Sequence, residues 1–165
     1  LEAPYVPTSV FASGYLVAWA AFSLLATLLQ WLLDRSGLMT MAMASASDWL
    51  GAALLLAAGL YQLTPLKYAC LEHCRSPFAF ISQHWQNGAA GAFRMGLRHG
   101  TYCVACCWAV MGLLFYAGVM NFAWIAGLAA FVLIEKLLPA GHRFGVLSGF
   151  VFLAWGLVLA ARAVA

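Results

Sequence analysis

Of 165 residues, 65% are hydrophobic and 8% charged, about a third of the roughly 25% charged share of a soluble domain. Eight Lys/Arg and five Asp/Glu cannot cover a globule of this size, and so apolar a chain does not stay disordered. A net charge of +3 supplies no basic stripe for nucleic acid, so the expected surroundings are a lipid bilayer.

The chain opens Leu1-Glu2-Ala3-Pro4, with no initiator Met and no basic lead of a signal peptide. This stub is expected to be a cytoplasmic loop that followed earlier segments. No charged side chain then occurs before Asp34, and about 20 apolar residues suffice to cross the hydrocarbon, which predicts a first span at about 10–33. Met39-Thr40-Met41-Ala42-Met43 follows near the predicted outer surface. The charge-free stretch between Asp48 and Lys67 predicts a second span at 49–66, extending to about 74. Residues 75–95 mix Phe78, Phe80, Ile81, Trp85 and Phe93 with polar groups, which suggests a partly helical segment in the headgroup region, with Gly88-Ala89-Ala90-Gly91 as a bend. From Arg98 to Glu135 the chain again lacks charge. That stretch is too long for one helix and is expected to form a hairpin of spans 99–118 and 122–139, turning at Gly118 and Asn121. A fifth span is expected at 144–161. Continuous apolar runs do not alternate as barrel strands would, so the expected fold is an all-α, polytopic membrane helix bundle of about five transmembrane helices in a single domain.

Lys and Arg in the connections set orientation. Lys67, Arg75, Arg94 and Arg98 flank the second connection, and Lys136 and Arg143 the fourth, against Arg35 and Arg162 on the other side. This predicts a multi-pass inner-membrane protein with the second and fourth connections in the cytoplasm and the C-terminus outside.

All five cysteines lie between Cys70 and Cys107. On a helix, residues three and four apart are neighbours, so Cys70, His73 and Cys74 should share one face, and His99, Cys103, Cys106 and Cys107 another. Both groups fall at the cytoplasmic ends of adjacent spans. Thiolate with imidazole selects a soft or borderline ion, and copper is favoured over zinc or iron because a monovalent ion is easier to hold at the edge of lipid. The expected metal ligands are Cys70, Cys74, His99, Cys103, Cys106 and Cys107, with Lys67, Glu72, His73, Met111, Glu135 and Lys136 as tuning or weaker candidates. Plainer readings stand beside these. Cysteine also packs as a small apolar residue, and the Met39/Met41/Met43 triplet can be an interfacial turn rather than a Cu(I) collector. Glu135 and Lys136 can be a helix-end pair with Lys136 reaching outward, while His84 and His142 read as solvated loop residues.

The series Tyr61-Gln62-Leu63-Thr64-Pro65-Leu66-Lys67, Cys70-x-x-x-Cys74-Arg75-Ser76-Pro77, Gly96-Leu97-Arg98-His99-Gly100, Cys103-x-x-Cys106-Cys107-Trp108, Gly118-Val119-Met120-Asn121 with Trp124, and Glu135-Lys136-Leu137-Leu138-Pro139 resembles a bacterial family of predicted metal-binding integral membrane proteins. The resemblance runs over about 11–139. It implies a polytopic inner-membrane protein that binds metal and has no assigned reaction, preceded in its relatives by further hydrophobic segments with a Met-rich stretch.

The leading expectation is therefore copper handling in the membrane: transport, storage or delivery to a membrane copper enzyme. Two alternatives remain. Cys103-x-x-Cys106 has redox-motif spacing and suits a membrane thiol–disulfide oxidoreductase, and a short apolar chain suits an accessory subunit of a larger membrane complex. Haem held by His99 with His73 or a cysteine is a weaker variant. No catalytic residue is assigned, and a carrier fits the pattern better than an enzyme.

Overall fold

The computed structural model describes residues 8–165; the N-terminal stub, read above as a cytoplasmic loop, lies outside the described residues. The described chain forms eight helices: α1 (Thr8–Arg35), α2 (Asp48–Gln62), α3 (Pro65–Arg75), α4 (Pro77–Gln83), α5 (Gly88–Gly112), α6 (Leu114–Ala117), α7 (Phe122–Leu137) and α8 (Gly141–Val164). Among the described residues the sole β feature is an isolated bridge between Met39 and Ser45. The fold is an all-α helix bundle.

Local chemistry sets the boundaries. Proline lacks an N–H and suits the first helical position, and Pro65 and Pro77 begin α3 and α4. Ahead of Pro65, the Thr64 hydroxyl accepts from the Lys67 N–H at 3.3 Å, which caps α3. The expected continuation of the second span past Pro65 is thus a break, and α2 and α3 meet at 69°. Asn121 caps α7 by accepting from the Trp124 N–H at 3.1 Å. Gly118, at φ +89, closes the turn before it.

The headgroup segment expected at 75–95 is more ordered than the sequence suggested. It contains α4 and the first two turns of α5. Gly88, at φ +77, makes the turn into α5 rather than a bend within a loop, and with no proline from 88 to 112 the helix runs on unbroken. Three helical stretches are long and apolar enough to cross a membrane: Thr8–Arg35, Gly88–Ala117 and Gly141–Val164, with the bent α2–α3 pair as a fourth if it counts as one span. Helix α7 has 16 residues, about 24 Å of rise, short of the roughly 20 residues of a straight span.

The chain divides into two compact units. One comprises residues 8–27 and 68–106, where α1 and α5 approach through glycine. A Cβ on Gly96 would fall on the Phe11 carbonyl oxygen, and one on Gly14 would lie 2.8 Å from the Leu97 nitrogen. The other unit comprises Leu28–Lys67 and Cys107–Ala165. There α2 and α8 meet through Gly59 and Gly149, where a Cβ on Gly59 would lie 2.9 Å from the Gly149 carbonyl oxygen. Small residues at such contacts let helix backbones approach closely. Ala52, Leu55, Ala58, Leu113 and Leu159 form the core beside this contact.

Candidate metal centre

Helix α5 carries the densest group of soft donors. His99 and Cys103 are four residues apart and face each other, with Cys103 Sγ 3.8 Å from His99 Nε2, both buried. An ion bonded to sulfur at about 2.3 Å and to nitrogen at about 2.0 Å would span 3.8 Å at an angle near 120°. That is a trigonal angle, and the pair needs little adjustment to chelate one ion. Cys106, on the next turn of the same unit, donates its S–H to the Cys103 carbonyl oxygen at 3.1 Å. It would release this weak bond on losing its proton to a metal.

Aromatic rings enclose the imidazole of His99. Phe80 lies 5.2 Å away between ring centroids, and Phe11 and Tyr15 each lie 6.1 Å away. Water is thereby kept from the donor pair, which strengthens electrostatic attraction to a cation there. These three rings carry no donor pattern, and nothing in their spacing links them to His99; only the folded approach of α1 and α4 does.

On α3, Cys70 and Cys74 are both buried, as one helical face predicts. His73 turns elsewhere. Its ring stacks on Tyr102 at 4.7 Å and its Nδ1 meets the Ala69 carbonyl at 2.8 Å. Cys107 is buried and belongs to the other unit, and Met111, one turn beyond, is half-buried. Among the described residues, no three His, Cys, Asp or Glu side chains are arranged to hold a metal ion. The donors brought together are thus the His99–Cys103 pair, with Cys106 adjacent on the helix.

The charged candidates form a different structure. Lys67 and Glu135, both buried, make an ion pair. Lys67 also donates to the Gln62 side-chain oxygen. The Gln62 amide donates to Ser148 Oγ at 3.0 Å and lies 3.4 Å from Glu135 Oε1. The helix-end reading of Glu135 with Lys136 is corrected here, since the carboxylate reaches Lys67 across 68 positions of sequence. Gly145 makes room: a Cβ there would lie 2.6 Å from Glu135 Oε1. Sequence reasoning assigned no role to Gln62 or Ser148. A lone amide at the end of an apolar helix, five residues before Lys67, was the available signal.

Two further expectations change. His84 does lie in the bend after α4 but is part-buried rather than fully solvated: its ring stacks on Phe80 at 4.7 Å and its Nδ1 meets the Phe80 carbonyl at 3.2 Å. The Met triplet separates into three environments, with Met39 buried, Met41 fully exposed, and the Met43 sulfur accepting from Gln30 Nε2 at 2.7 Å.

No curated protein and no solved structure matches the chain. Over residues 2–159 the sequence matches the family PpoB2, described as copper chaperone. Copper handling is thereby the general role the metal-binding resemblance takes. On that match over nearly its whole length, the chain belongs to the copper chaperone family.

Proposed function

We propose that the chain is an inner-membrane copper carrier whose cargo, Cu(I), is held by sulfur and imidazole donors on α5. The observation that carries this reading is the buried His99–Cys103 pair, 3.8 Å apart at near-trigonal spacing. Cys106 on the following turn completes a three-donor set by turning its sulfur away from the Cys103 carbonyl. Cys70 and Cys74 on α3 are the second thiol pair of the same unit, suited to receive or hand on the ion by ligand exchange. Thiolates and imidazole together select Cu(I) over harder cations, and the family supports copper as the metal.

Each thiol loses a proton when it binds, so loading should release protons and weaken as the pH falls. The deciding measurement is the copper content of protein purified in detergent, reduced and without chelator. One thiolate-bound Cu(I) per chain is expected, read by its sulfur-to-copper absorption in the ultraviolet. Cys103→Ser should lose nearly all of this thiolate-bound copper, with near-wild-type helicity by circular dichroism. Thiolate-bound copper retained in full by that variant would overturn the assignment.

A further inference from the structure

We propose that His73 and His84 form a second, solvent-reachable copper site, in which one Cu(I) bridges the two imidazole Nε2 atoms beside the cavity of α3 and α4. The inference rests on the copper reading above and adds to it a point of first capture, upstream of the buried donors.

The cavity has a volume of about 220 Å³ and is lined by Glu72, His73, Ser76, Ala79, Phe80 and Gln83. His84 sits at the C-terminal end of α4. A carbonyl oxygen only accepts, so the contacts of His73 Nδ1 with the Ala69 carbonyl and of His84 Nδ1 with the Phe80 carbonyl require an N–H at Nδ1 in both neutral rings. The lone pair of each ring is then at Nε2. A backbone carbonyl holding the far ring nitrogen is how metal-binding histidines are usually oriented. Each ring is also clamped by an aromatic face, His73 by Tyr102 and His84 by Phe80, both at 4.7 Å. Two donors fixed in this way lose little rotamer freedom on binding.

Their separation suits one ion. The ring centroids are 6.5 Å apart. Two imidazoles on a single linear ion would span about 6.2 Å, taking about 2.0 Å from metal to nitrogen and about 1.1 Å from nitrogen to ring centre. A tetrahedral zinc ion wants four donors, whereas copper, with its single positive charge, is content with two in line. Glu72, on the cavity wall, adds negative charge that attracts a cation. Neutral imidazoles are weaker partners for Cu(I) than thiolates, so an ion captured here is driven thermodynamically toward the sulfurs.

The test is an anaerobic titration of the full chain in detergent with Cu(I), and with Ag(I) as its oxidation-resistant stand-in for ¹⁵N spectra of the histidines. In the wild-type protein, the Nε2 resonances of both His73 and His84 should move together with the second equivalent of Ag(I), once the tighter thiol site has filled. In Cys103→Ser/Cys106→Ser this imidazole-bound equivalent should persist. His73→Ala or His84→Ala alone should abolish it while leaving the thiol-bound equivalent. Loading of the buried site should then slow without loss of its final stoichiometry. His73→Gln provides a check against a folding defect. Unmoved His73 and His84 resonances beside a filled thiol site would overturn this proposal and leave the copper reading intact. Metal on the imidazoles with none on the thiols would do the reverse. Zinc binding at the pair in preference to Cu(I) would also overturn it.

Discussion

The two units solve one packing problem with the same device and fill it with different chemistry. In each, glycines let two helix backbones touch, α1 with α5 at Gly14 and Gly96, and α2 with α8 at Gly59 and Gly149. Beside α2 and α8 the polar groups satisfy one another, the Lys67–Glu135 ion pair closing on the neutral side chains of Gln62 and Ser148. On α5 they are thiols, which hydrogen-bond weakly, and an imidazole, and the lone pairs of both suit a soft ion. A compensated ion pair favours one structure and has little to offer a ligand. An array of weak donors costs little to bury and remains open to metal. The comparison sets a closed polar cluster in one unit against an array of soft donors in the other.

The largest expected effect comes from breaking the ion pair. Glu135→Ala leaves the Lys67 ammonium buried without its carboxylate and should cost about 3–5 kcal/mol, seen as a lowered unfolding midpoint in detergent by tryptophan fluorescence. The folded fraction should keep its copper. If copper is lost along with stability, Glu135 belongs to the metal site, as the sequence pattern first suggested, and the division between the units fails. Smaller effects come from the glycines. Gly59→Ala and Gly96→Ala each press a methyl group onto opposing backbone, and overpacking of this kind costs about 1–3 kcal/mol. The two should differ in a second readout. Gly96 lies one turn before His99 on α5, so its variant should also weaken copper retention, whereas Gly59→Ala should affect stability alone.

Much of this was legible in the sequence, and the gaps have physical causes. Charge-free stretches locate the helices because an apolar run must find an apolar surrounding. Proline and glycine mark the ends of α3, α4 and α7 for local steric reasons. His99 and Cys103 could be paired from spacing because helical neighbours recur every four residues. Non-local partners could not. Nothing in the series from Glu135 to Pro139 says that the carboxylate will meet Lys67, because that contact depends on how α2, α7 and α8 pack. The same holds for Phe11, Tyr15 and Phe80 around His99, which come from separate helices. The reach of α5 back to Gly88 was hidden for another reason: Gly88 and Gly91 look like a bend in isolation, and only the uninterrupted helix beyond them shows that they begin it.

The smallest expected effect concerns the Met triplet, and it bears on where copper first meets the chain. Three thioethers at alternate positions suggest a Cu(I) collector, but their surroundings differ. Met39 is buried and bridged to Ser45, Met43 holds an amide proton of Gln30 on its sulfur at φ +55, and Met41 is fully exposed. A collector needs sulfurs available together, whereas one of these is buried and another is engaged by Gln30. Met41→Ala should therefore change stability by no more than about 0.5 kcal/mol and leave copper uptake unaltered at limiting copper. Met43→Ala should loosen the loop by removing the Gln30 contact, again without loss of bound copper. Slower uptake in Met41→Ala would mean that the exposed thioether, rather than the imidazole pair on α3 and α4, makes the first capture, and that the loading route begins in the other unit.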